Sequence, residues 1–217
     1  MKTPFFRIPF KNRKSYNITL IIILLNVVIY YGLNIFSTIN PALRTYLSLN
    51  PICFFKYHFF WQPVTYMFLH GSTFHLLSNM FTLLLVGIHV EKALGSKEFC
   101  LLYFLCGIFS GICSTILYWF TGAYNVLLVG ASGSIYGLLL AFAVIFPKAK
   151  IYFLGFLPIP APVLILFYIV IELAGALFDN SGVAHFAHLF GILAAWIYFP
   201  VRWGISPIKL WKDNLRR

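Results

Sequence analysis

Charge is what this chain has least of. Asp and Glu together number 5 in 217 residues, and all charged types make up 10% of the sequence, against about a quarter in ordinary water-soluble domains. With 61% of its residues apolar, the chain has too little polar surface to cover a soluble globule, so its solvent is lipid. Metal and disulfide signatures are also missing. Cys53, Cys100, Cys106 and Cys113 form no CxxC pair and have no metal-site spacing; three of them lie in one apolar run, and they read as small buried apolar residues. There is no HExxH, and the soluble-hydrolase elbow GxSxG fails because position 134 is Ser. No internal repeat or low-complexity segment divides the chain, which reads as one domain.

The net charge of +11 does not imply a nucleic-acid partner. The basic residues sit at the chain ends and in short connections, not as a stripe interleaved with aromatics. Between them lie six apolar segments long enough to approach a membrane span, given about 20 residues for a hydrocarbon core of about 30 Å. The sequence predicts spans near Ile18–Phe36, Phe74–Val90, Phe99–Phe120, Val126–Phe146, Ala161–Phe178 and Val183–Val201. The first is too long for a secretory signal and no small-residue cleavage site follows it, so it is expected to stay in the membrane.

Lys and Arg alternate across these segments. The amino-terminal stretch, the connections after spans two and four and the carboxyl-terminal stretch hold fourteen of them; the other side has only Arg44 and Lys56. Cytoplasmic loops are enriched in these residues, so both termini are expected in the cytoplasm. The expected architecture is all-α and polytopic, with a basic cytoplasmic tail at 1–17, a six-helix membrane domain at 18–201 and a second basic tail at 202–217. The aromatic-rich connection from Ser37 to Thr73 then lies in the outer interface.

Polar residues inside spans are expensive and mark function by default. Here they converge: His70, His75 and Asn79 open the second span, Ser132 opens the fourth, and His185 and His188 open the sixth. All three spans run from outside to inside, so these groups share one depth. His75 and Asn79 are four apart, as are Ser132 and Tyr136, and such pairs share a helix face. Gly133, Gly137 and Ala141 make one small-residue ridge; Ala187, Gly191 and Ala195 make another. If the ridges face each other, backbones approach closely and Ser132 meets His188.

Serine becomes a useful nucleophile when a base takes its proton. Ser132 is therefore the candidate nucleophile and His188 its base, with His75, the Asn79 amide and the Ser132 N–H as oxyanion donors. Asp179 lies beyond the start of the sixth span, so no acid is expected to orient the base, and the reading is a dyad. Glu172, the one acid at depth, is expected to be neutral or hydrogen-bonded, without a chemical role. His185 is read as a neighbour, and His89, about 20 Å away by helical rise, as outside the site.

These residues resemble the rhomboid intramembrane serine proteases. His70-Gly-Ser-Thr-Phe-His75-Leu-Leu-Ser-Asn79 looks like the HxxxxHxxxN signature, Gly130-Ala-Ser132-Gly133 like the GxSG motif with Tyr136 four residues on, Ala187-His188-Leu-Phe-Gly191 like AHxxG, and Glu91-Lys-Ala-Leu-Gly95-Ser like the turn after the second span. The resemblance implies a six-helix core, a Ser–His dyad, no cofactor or metal, and transmembrane proteins as substrates within lipid. It also implies a gate between spans two and five. His70 and Tyr136 are expected to shape the site, which opens to the outer side; the expected location is a bacterial cytoplasmic membrane. Two positions depart from the pattern. Gln62 follows Trp61 where Arg is common, and Ala195 stands where glycine often continues the ridge, which would set the two helices slightly farther apart. The competing readings are a catalytically silent rhomboid-like binding factor and a zinc enzyme or transporter using the histidines.

Overall fold

The computed structural model describes residues 14–40, 42–153, 156–178 and 184–215; Asp179 lies outside them. Helix α1 (Ile18–Ile39) starts against a carboxylate from elsewhere in the chain. Glu91 accepts hydrogen bonds from the backbone N–H groups of Ile18 and Thr19 at 2.9 and 2.8 Å, and from the Thr19 hydroxyl. A negative charge at this position satisfies orphan donors and complements the helix dipole.

The connection that follows holds three short helices, α2 (Ala42–Leu47), α3 (Pro51–Phe55) and α4 (Gln62–Thr65), and a 3₁₀ turn at Tyr66–Phe68. Gln62, the departure noted above, is wholly buried. Its Oε1 accepts from Asn50 N–H at 3.1 Å, and its Nε2 donates to the carbonyls of Thr45 and Tyr46. An amide carries both donors and acceptor, so it ties the end of α2 to the backbone at Asn50, where a guanidinium offers donors alone. Tyr46, Phe59 and Trp61 pack ring against ring over this connection.

Next, α5 (Thr73–Thr82), a π-helical turn at Leu83–Gly87 and α6 (Ile88–Leu94) form one rod. Gly95 ends it with φ of 80°, a conformation that costs glycine little, and α7 (Ser96–Phe120) follows. Then come α8 (Ser132–Ile145), a two-stranded antiparallel hairpin of β1 (Lys150–Phe153) and β2 (Leu157–Pro160), α9 (Ala161–Phe178), α10 (His185–Trp203) and α11 (Pro207–Leu215). Trp211 of α11 is buried and donates to the Ala143 carbonyl of α8 at 2.9 Å.

The chain is mostly helical, and among the described residues five helices are long and apolar enough to cross a membrane: Ile18–Phe36, Thr73–Leu94, Ser96–Phe120, Ala161–Phe178 and His185–Trp203. The fourth expected span is the exception. It was expected from Val126, but its helix begins at Ser132 and has 14 residues. The approach is extended because Leu128 pairs with Leu49 through two backbone hydrogen bonds, and Gly130 N–H donates to the Tyr66 carbonyl at 2.9 Å. At about 1.5 Å per residue α8 rises about 21 Å, short of a full crossing. It is also the most enclosed helix, packed between α7 and α10.

The two small-residue ridges do face each other. A Cβ on Gly191 would lie 2.0 Å from the Gly133 carbonyl oxygen, so the backbones of α8 and α10 touch there. Ser110 of α7 donates its hydroxyl to the Ala187 carbonyl at 2.5 Å, which pins the start of α10 beside that contact. The four cysteines are unpaired thiols, Cys53 and Cys106 buried, Cys100 and Cys113 half-buried.

Candidate active site

Ser132 is the first residue of α8. Its N–H therefore has no acceptor within the helix, and its side chain projects from a helix N-terminus. Gly130, at φ 125°, brings the chain into that turn where a side chain would be strained. A Cβ there would also lie 2.9 Å from the His75 ring and 3.7 Å from Ser132 Oγ. Glycine thus lets His75 sit close to the serine.

His188 is on the first turn of α10. Its Nε2 lies 2.9 Å from Ser132 Oγ. The imidazole stacks on the Tyr136 ring with centroids 4.2 Å apart and planes 7° from parallel. Tyr136 is one turn below Ser132 on the same helix, so α8 supplies both the hydroxyl and the plate that fixes the ring plane. With Nε2 accepting from the serine hydroxyl, the neutral imidazole carries its proton on Nδ1.

That proton has a carboxylate to meet. His188 Nδ1 lies 2.9 Å from Glu172 Oε2, and His185 Nδ1 lies 2.7 Å from the same oxygen. The Tyr136 hydroxyl donates to Glu172 Oε1. This corrects an expectation: an acid does face the base. Glu172 is hydrogen-bonded as expected, but to Ser132's own partner. The signal was present in the sequence: a lone acid within a span is a functional hypothesis by default, and Glu172 is six residues before Phe178, about 9 Å from the carboxyl-terminal end of α9 by helical rise.

The other predicted residues assemble around the pair. Ser72 caps α5 by accepting from His75 N–H at 3.1 Å. Asn79, one turn on, donates its amide to the His75 carbonyl at 3.0 Å. His70 is buried in the preceding loop, its ring edge-on to His75 at 5.1 Å. Burial, and then the neighbouring His75, depress its pKa to about 4. His89 is elsewhere, bonded to the Leu85 carbonyl and packed on Phe142. No hydrogen bond joins His185 to Ser132; the ring faces Glu172 and the Gly175 backbone.

His75, Asn79, Ser132, Tyr136, Tyr168 and His188 line one cavity of about 580 Å³. This volume lies within the range of ligand-binding cavities. One further cluster could take a metal: ligand atoms of Glu172, His185 and His188 lie within 4.8 Å of one another, although they already hydrogen-bond among themselves.

A model of the rhomboid domain matches residues 57–204. RHOMBOID-like protein 1 of Arabidopsis thaliana is 33% identical over 141 residues, 64% of this chain and 34% of that relative. Rhomboid-like protein 11, chloroplastic, of the same plant is 34% identical over 131 residues, 59% of this chain and 42% of that relative. Inactive RHOMBOID-like protein 8, also from Arabidopsis, is 28% identical over 82 residues, 38% of this chain and 22% of that relative. The chain thus spans well under half of the curated relatives it matches. These relatives are eukaryotic, and they lend the expected bacterial membrane no support. With the family model matching more than half of its length, and its apolar helices arranged as described, this chain is an integral membrane protein that belongs to the rhomboid family.

Proposed function

We propose that the protein is an intramembrane serine endopeptidase that cleaves transmembrane segments of other membrane proteins. The observation that carries this reading is the 2.9 Å contact between Ser132 Oγ and His188 Nε2 at the wall of the cavity. In the first step Ser132 Oγ bonds to the substrate carbonyl carbon while its proton passes to His188 Nε2. The oxyanion that forms is met by the Ser132 N–H, with His75 and Asn79 as further donors from α5. The C–N bond then breaks, the leaving amine takes the proton from His188, and water repeats the sequence on the acyl-serine.

The short α8 supports a wet site in a dry surrounding. A helix of about 21 Å, shielded from lipid by its neighbours, leaves its first residue below the outer surface, where a cavity admits water. In this reading α8 is the sixth membrane element. Residues 18–201 are the membrane core, both basic ends face the cytoplasm, and the site opens to the opposite side. Substrate helices have their carbonyls bonded internally, so weak helix formers near the outer end of the substrate span are the preferred cutting region.

A silent binding factor is the alternative, and one relative carries "Inactive" in its name. The presence and contact of both catalytic side chains favour the enzyme. The test is cleavage of a generic single-span reporter by the purified protein in detergent. Turnover that disappears in Ser132→Ala supports the protease; no turnover by the unaltered chain, with reporter binding retained, supports the binding factor.

A further inference from the structure

Glu172 is a carboxylate that the proposed reaction leaves unused although it lies 2.9 Å from the base. Its surroundings are built for an anion. A carboxylate only accepts hydrogen bonds, and Glu172 faces three polar side chains: the Tyr136 hydroxyl at one oxygen, and His185 Nδ1 and His188 Nδ1 at the other. It is 4% exposed on a helix otherwise given to apolar residues. A buried charge persists only where it is paired and hydrogen-bonded. The neighbouring fold makes room for the arrangement: a Cβ on Gly175, three residues on along the same face, would lie 2.3 Å from the His185 ring.

We propose that Glu172 is the positioning residue for His188, which makes the site a Ser132–His188–Glu172 triad whose acid comes from α9. This rests on the protease reading above. The carboxylate holds the proton on Nδ1, so that Nε2 presents its lone pair to Ser132, and it stabilises the imidazolium formed when Nε2 takes the serine proton. Tyr136 serves the same end twice, stacking on the imidazole and donating to the free oxygen of Glu172.

The placement on α9 has a second consequence. The buried residues of α9 are Ala161, Pro162, Leu164 and Ile165 at its start and, beyond them, Glu172 alone; Val170, Leu173, Leu177 and Phe178 are exposed. The outer half of α9 thus docks partly through the same carboxylate that orients the base, beside the Tyr168 ring on Tyr136 and Gly175 on His185. When that half moves away, His188 loses its partner. The triad is complete only while α9 is docked, which ties proteolysis to closure of that helix.

The test uses the full chain in detergent and two readouts: the rate at which a small fluorophosphonate labels Ser132, and kcat and KM on the single-span reporter. Glu172→Gln keeps the shape and removes the charge. It should label at least about 10²-fold more slowly, the loss a 1 Å misplacement brings, and up to the roughly 10⁴-fold loss of a triad acid. The reporter kcat should fall by the same factor, with KM within about twofold. Glu172→Asp, which keeps the charge, should be faster than Glu172→Gln, and Phe167→Ala, on the exposed face of α9, should label as the unaltered chain does. Wild-type labelling by Glu172→Gln, or an effect confined to KM, overturns the triad and leaves the protease reading intact. Failure of the unaltered chain to label at Ser132 removes the protease reading itself. A third measurement needs no variant: ¹⁵N shifts of His188 in the unaltered protein should show Nδ1 protonated and Nε2 bare, and the opposite tautomer contradicts the proposal.

Discussion

Gly191→Ala tests the helix contact on which the whole site depends. The added Cβ would sit 2.0 Å from the Gly133 carbonyl oxygen, 2.8 Å from its carbon and 3.1 Å from its Cα. Carbon and oxygen in ordinary contact stay about 3.3 Å apart, so α10 must retreat from α8 by more than about 1 Å. The obstacle is backbone on both sides, and no rotamer change relieves it. Gly133 follows Ser132 directly and Gly191 is one turn after His188, so the retreat is felt at the 2.9 Å Oγ–Nε2 contact. Opening it to about 4 Å ends the hydrogen bond. The overpacking should cost about 1–3 kcal/mol, and a misplacement of about 1 Å should slow chemistry about 10²-fold. The assay is fluorophosphonate labelling with a thermal melt on the same preparation. Gly32→Ala, where a Cβ meets nothing within 4 Å, is the control and should match the unaltered protein. If Gly191→Ala also labels and melts like the unaltered protein, the two backbones are not in the contact described, and the argument from ridge to dyad fails.

Three further outcomes follow from named residues. Asn79→Ala and His75→Ala should each lower reporter kcat by up to about 100-fold with little change in KM, as loss of one oxyanion donor does; a raised KM at constant kcat assigns them to substrate binding instead. EDTA should leave reporter cleavage untouched; loss with EDTA and return with zinc would move the site to a metal held by Glu172, His185 and His188. His70, with its pKa depressed to about 4, binds its proton more readily when unfolded. It therefore supports the fold fully above the ordinary histidine value near 6.5 and progressively less as pH falls from there toward 4. Melting temperature should drop across that window, and His70→Leu should flatten the drop; an unchanged slope in that variant means that another group carries it.

Much of the site was legible in the sequence because it is written in local spacing. The four-residue steps from His75 to Asn79, from Ser132 to Tyr136, and along the two small ridges are helix geometry, and the structure joins them as the pattern implies. What spacing cannot carry is pairing between distant segments. Val126–Val129 are as apolar as the helix that follows, so hydropathy merges them with it, although Leu49 and Tyr66 hold that approach extended. Glu172 looked idle because its partners come from α8 and α10, 36 and 16 residues away. Nothing in the apolar run around it names them; only the cost of an acid at that depth points to a role. Gln62 was likewise weighed as a missing guanidinium, while its work is to close a loop whose shape the sequence does not spell out.

The central claim is that His188 activates Ser132. It is tested most directly by treating the purified protein with a fluorophosphonate and mapping the adduct by mass spectrometry, in the unaltered chain, His188→Ala and His185→Ala. The account predicts an adduct on Ser132 in the unaltered chain, its loss in His188→Ala and much of it retained in His185→Ala. An adduct on another residue, or undiminished labelling of Ser132 without His188, would contradict it.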